Sequence, residues 1–350
     1  MGRSSAPIID QLVADFTSRV NGELVDLLWQ ISARGLSGGN GLRSAIADLS
    51  QERRASFLLD PDFFSALRTA RGLMSPESFA LLEAVVRAPT PYRSDDLKKT
   101  EITTVGDVIR VDLRSESSRR LDQTSPIFFK PFEDPSLEES RDIVRKIEDA
   151  VREIDRLSPA FGRLIRNYTR RVYVRKVDSE PPASEQVDSE IGSIRLRNMH
   201  SNNYTHEQVM DDLIHESVHN YLGSFEYVKF PFVRFAGENN RSLARPVSPW
   251  SLRPIQMLPF LHAAFVYFAI YHFALVRCEC TSAGTPARRS ALRQRNRYSS
   301  GFLMPGKLSS YVAGQADVDP RVLGALDWMQ EFVRQDVSRH AGYNLSISIS

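Results

Sequence analysis

The chain is poor in cysteine: Cys278 and Cys280 are the two in 350 residues. A secreted enzyme of this size usually carries more, and one CxC without a second pair is a weak metal-binding pattern, so a reducing, cytoplasmic setting is expected. Charge of one sign is also lacking. The formal net charge is +2, too small to argue for nucleic acid, and the densest basic stretches, 170–176 and 288–297, read as solvated faces or loops. The opening MGRSSAPIIDQLVADF has no unbroken apolar stretch of the kind a signal peptide needs, so no export is expected. Internal repeats are absent, and the SGGNG run at 37–41 lacks the lysine and serine of a phosphate loop. That run reads as a linker. Long hydrophobic runs are scarce too: residues 257–276, MLPFLHAAFVYFAIYHFALV, are the one segment long enough to cross a bilayer. It carries His262 and His272, and ionisable groups are expensive in lipid. The segment therefore reads as a helix buried in protein, and no membrane partner is expected.

What the chain does have is a metal motif. Residues 211–221 read DDLIHESVHNY, in which His215-Glu216-Ser217-Val218-His219 is an HExxH sequence. Histidines four apart lie about 40° apart around a helix, so both rings reach one ion. Leu213, Ile214, Val218 and Leu222 supply an apolar side, and Gly223 is placed to end the helix. The glutamate beside the first histidine is the usual general base of a zinc peptidase, yet the pentapeptide dictates neither zinc nor hydrolysis.

The rest of the chain predicts an α+β fold, mostly helical, with a small sheet and a metal site between the HExxH helix and the long apolar helix that follows. With 42% hydrophobic residues the chain buries a substantial core. An N-terminal helical region over 1–95, with helices at 8–31, 61–71 and 76–87, precedes a metal-binding catalytic region over 96–350; the alternative is that the two form one continuous domain. Alternating β-branched residues at 100–113, an extended piece at 126–132, and segments 171–177 and 192–198 predict strands. Residues 137–168 predict a long charged helix interrupted near Ser158-Pro159, 179–189 a polar loop, 205–225 the metal helix, and 318–337 a last helix before a polar tail.

Two histidines do not complete a metal site. His262 opens the apolar helix 43 positions beyond His219, enough for a loop and a return; the bland alternative is a core histidine bonded to a carbonyl. Glu238, 19 positions beyond His219, has the spacing of a zinc-peptidase third ligand but sits in the loop-like KFPFVRFAGENN. His206, nine residues ahead of His215, falls roughly 180° away and should face elsewhere.

The run LIHESVHNYL, then Ser248-Pro249-Trp250, then LHAAFVYFA resembles the HExxH-domain proteins of peptide-modification gene clusters, α-ketoglutarate- and iron-dependent peptide β-hydroxylases. The likeness spans about 192–273. It implies His215, His219 and His262 as ligands of Fe(II), leaving positions for bidentate α-ketoglutarate and for O2. The substrate implied is a ribosomally synthesised precursor peptide, hydroxylated at a side-chain Cβ. Glu216 then supports a ligand or water rather than acting as a hydrolytic base. Ser248, Trp250 and Arg253 are placed at the cosubstrate. The family often has arginine directly after SPW; this chain has Ser251 there, with Arg253 two residues on. The distal carboxylate of α-ketoglutarate needs a cation, so Arg253, or failing it Arg245 or Arg234, is expected to meet it. Two other classes stay open: a zinc metallopeptidase using His215, His219 and Glu238 with Glu216 as base, and a non-catalytic peptide-binding protein.

Overall fold

The computed structural model describes residues 6–36, 39–50, 57–87, 102–106, 108–113, 133–177, 180–187, 190–234, 245–313 and 317–347. It is mostly helical with a small mixed sheet, and its contacts form two compact units, Met1–Val228 and Lys229–Ser350.

The first unit opens with the helices α1 (Ala6–Ala33), α2 (Gly39–Ala47), α3 (Pro61–Leu73) and α4 (Pro76–Arg87). Local chemistry starts α3: Asp60 accepts hydrogen bonds from the amides of Asp62 and Phe63, with Pro61 in the first turn. From Gly39 the glycine run expected as a linker is helical, and its first two residues lie outside the described residues. It opens α2, because a Cβ on Gly39 would lie 2.0 Å from Ile31 of α1, a closeness that only glycine permits.

A five-stranded sheet follows, in the order β1 (Ile102–Val105), β2 (Ile109–Asp112), β3 (Arg171–Arg175), β5 (Ser193–Arg197), β4 (Ala183–Glu185). The three central strands are parallel; β1 and β4 run antiparallel at the edges. The segment 179–189, expected as a loop, thus contains a strand. β4 is short and polar, so its own sequence carries no strand signal, and pairing with β5 selects the conformation. The expected extended piece at 126–132 lies outside the described residues.

Strand alternation gives the sheet two unlike faces. Val111, Val172, Val174, Ile194 and Leu196 are buried on one. On the other, Arg110 and Arg171 pair with Asp60 and Asp62 from the start of α3, and the Tyr173 hydroxyl donates to Asp62 at 2.8 Å. Helices α5 (Leu137–Leu157) and α6 (Pro159–Tyr168) break at Ser158-Pro159 as expected, and both pack on α7 (His206–Val228), which carries the HExxH sequence. The helix does not end at Gly223. It continues because Tyr227 packs its ring against Phe16 and Phe64, at centroid distances of 5.5 and 5.3 Å. Helices α1 and α3 therefore share a core with the far end of α7; the stretch near residue 95 lies outside the described residues.

The second unit pairs β6 (Val233–Arg234) with β7 (Asp317–Val318) and packs α8 (Met257–Cys280) on α9 (Pro286–Ser299) and α10 (Pro320–Ile347). Helix α10 runs past the expected end near 337. Half of the most apolar stretch of α8, the one described helix long and apolar enough to span a bilayer, is buried. Tyr271 of α8 and Arg295 of α9 both donate to Asp336 of α10, a polar staple inside this bundle.

Candidate metal centre

Helix α7 is fastened to the sheet at defined points. Its first turn is closed by Thr205, whose hydroxyl accepts from the Gln208 amide at 3.2 Å. Asn220 accepts from the Gly192 amide at 2.8 Å and donates to the Ser193 carbonyl at 3.0 Å, gripping the start of β5. Ser217 shares a buried 2.6 Å hydrogen bond with Thr169. Ser217 and Asn220 flank Glu216 around the helix, Asn220 one turn beyond it, so the rotation of His215, Glu216 and His219 is set by the fold.

The imidazole centroids of His215 and His219 lie 5.1 Å apart. One ligand atom from each of His215, Glu216 and His219 falls within 4.8 Å of the others, the one such cluster of three among the described residues. His215 Nε2 is 3.8 Å from Glu216 Oε1. His206 is exposed at the start of α7 and outside this group, as its rotation requires.

Desolvation by the surrounding protein lowers His215 to about 4, although 31% of its side chain still meets solvent. It is neutral at pH 7, the form that ligates a metal. Burial pushes Glu216 up to about 8; the Ser184 hydroxyl opposes that shift, and Asp212 and Glu185 add to it. A cation bound between these groups would favour the carboxylate and stabilise the neutral rings, so the donor set fits a divalent transition metal.

Two residues around Glu216 escaped the sequence. Ser184, on β4, donates to Glu216 Oε1 at 2.6 Å. The Tyr204 hydroxyl donates to Asp212 one helical turn before Glu216. Ser184 lies in a polar ASE stretch with no motif, and only the strand register places it.

The remaining expected site residues belong to the second unit. His262 is buried on α8 with its ring nearly perpendicular to Phe232 at 5.6 Å. Ser248, Trp250 and Arg253 form one turn: the Ser248 amide donates to the Arg253 carbonyl at 2.9 Å, and the Ser248 hydroxyl accepts from Ser251 at 3.3 Å. Trp250 stacks flat on Tyr267 at 4.6 Å and its indole N–H donates to the Tyr298 carbonyl at 3.1 Å. The Arg253 side chain is exposed and pairs with no carboxylate among the described residues. Arg245 is exposed, and Arg234 is 3.8 Å from Asp319. Glu238 lies outside the described residues. No protein-family model matches the chain and no curated protein matches it.

Proposed function

We propose that this chain is a cytoplasmic, non-haem Fe(II)- and α-ketoglutarate-dependent oxygenase that hydroxylates a side-chain Cβ of a ribosomally synthesised precursor peptide. The observation that carries the metal-centre half of the reading is the His215–His219 pair, with a neutral first imidazole and the Glu216 carboxyl within ligand distance. The choice of oxygenase rests on the order HExxH, SPW, leucine-histidine, which also makes His262 the third ligand. Bound iron would supply oxygen activation coupled to oxidative decarboxylation of α-ketoglutarate: one oxygen atom goes to succinate, the other into the peptide C–H bond, and carbon dioxide leaves. His215 and His219 contribute ring lone pairs. Glu216 accepts or donates a hydrogen bond to a ligand beside them, and Arg253 meets the distal carboxylate of the cosubstrate.

A zinc peptidase is the second reading, and one observation favours it: a carboxyl raised to about 8 beside two imidazoles lies in the range suited to a general base at neutral pH. The deciding experiment incubates the purified chain with its cognate peptide, iron and α-ketoglutarate. A gain of one oxygen by mass, with α-ketoglutarate-dependent oxygen uptake, supports the oxygenase. Zinc-dependent cleavage selects the peptidase, and absence of any bound metal leaves a peptide-binding protein.

A further inference from the structure

Glu216 is almost enclosed, with 4% of its side chain exposed. Among the described residues its carboxylate accepts one hydrogen bond, from Ser184 Oγ to Oε1 at 2.6 Å. An enclosed carboxylate with one oxygen held and the other without a protein donor has a defined orientation. Ser184 faces Leu196 across the β4–β5 ladder and so shares the sheet face of that side chain. The strand does not need this hydroxyl to stay in place. Its backbone pairs with β5 from Ala183 to Glu185, and Asn198, at the end of β5, bonds both the amide of Val177 and the carbonyl of Glu180 on the approach to β4.

We propose that Ser184 is a positioning residue of the metal centre: its hydroxyl pins Oε1 of Glu216, the oxygen 3.8 Å from His215 Nε2, so that the carboxylate keeps a fixed orientation toward a metal ion held by His215 and His219 or toward a molecule bound on that ion. The inference rests on the metal-centre reading, and not on whether the ion is iron or zinc. Hydrogen-bond partners of ligand-orienting groups typically affect metal affinity about 10–100-fold.

The test titrates Co(II) into the full-length chain and follows visible absorption in the wild type and in Ser184→Ala, Ser184→Thr and Ser184→Val. Threonine and valine have the same shape and differ in the hydroxyl. Ser184→Val and Ser184→Ala should bind Co(II) about 10–100-fold more weakly with altered absorption bands, and Ser184→Thr should restore wild-type affinity and spectrum. A second comparison adds Ser184→Ala to Glu216→Ala, where it should have no further effect because the group it acts through is gone. Equal affinities for the threonine and valine variants, or the same loss with and without Glu216, would overturn the assignment while leaving the metal centre standing. A wild-type chain that takes up no Co(II) would overturn the metal centre, and this role with it.

Discussion

Glu216 and Arg253 are the two residues whose side-chain chemistry divides the possible reactions. Glutamine in place of Glu216 keeps the shape and an acceptor for Ser184 but cannot take up a proton. In the oxygenase reading Glu216→Gln retains iron and hydroxylates the peptide about 10–100-fold more slowly, the scale for disturbing a group that orients a ligand. In a peptidase the same change removes the base and lowers hydrolysis by about 10²–10⁴-fold with zinc retained. Rates of oxygen incorporation and of cleavage, measured on one peptide, separate the two. Arg253 is exposed in its own unit and free of carboxylate partners among the described residues, which leaves its guanidinium available to a dicarboxylate. Arg253→Leu should raise the α-ketoglutarate concentration needed for half-maximal turnover by about 100-fold if the pair is desolvated when formed. Iron content should stay unchanged, and a normal requirement in Arg253→Leu with a large one in Arg245→Leu or Arg234→Leu would move the clamp.

Among the elements, α5 and the turn after α9 carry the clearest energetic predictions. Ser136 and Glu139 form a reciprocal cap at the start of α5: the Ser136 hydroxyl accepts from the Glu139 amide at 3.2 Å, and Glu139 Oε2 accepts from the Ser136 amide at 2.7 Å. That amide, then Lys176 at 3.0 Å, holds the Glu139 carboxyl at about 2. Its folded value is below the ordinary 4.5, so the stabilisation is complete above about pH 4.5 and fades as pH falls through 2. About a quarter of the side chain is exposed, so solvent screening limits the contribution to about 1 kcal/mol. Glu139→Gln should lose that amount at pH 7 and lose less than the wild type between pH 4.5 and 2.5, as read by urea unfolding at each pH. In the second unit, Gly301 lies under the indole of Trp250, where a Cβ would come 2.2 Å from Cε2. The indole is clamped between Tyr267 and the Tyr298 carbonyl and has no room to yield. Gly301→Ala should therefore destabilise by about 1–3 kcal/mol; an unchanged melting temperature would mean the stack is looser than its geometry.

For the whole molecule, a metal that binds the native chain and not the unfolded one adds stability by mass action. At a free concentration 100 times its dissociation constant the gain is about 2.7 kcal/mol, or about 4 °C in melting temperature for a chain of this size. Chelation should reverse it. His215→Ala should melt at the same temperature with and without metal, and His262→Ala should do the same if that ring is the third ligand. A shift that survives in His262→Ala but not in His215→Ala would transfer the third position elsewhere, with Glu238 the first candidate. No shift in the wild type would remove the metal from the account.

Local signals made much of this legible in the sequence. The Pro61 and Pro76 helix starts, the Ser158-Pro159 break and the i, i+4 histidines each depend on residues within a turn of one another, and each stands where the spacing puts it. The HExxH helix and the half-buried long apolar helix follow from periodicity and composition in the same way. What tertiary structure alone decided involves partners far apart in the chain. Helix α7 passes through Gly223 because Tyr227 reaches Phe16 and Phe64; α2 begins in a glycine run because Ile31 lies against Gly39; and Trp250 is committed to Tyr267 and Tyr298. The largest gap was β4, the three residues Ala183, Ser184 and Glu185, which are a strand only because β5 pairs with them. That pairing brings Ser184 to Glu216, 32 positions along the chain. No periodicity encodes such a contact, because it is produced by closing the sheet edge over α7.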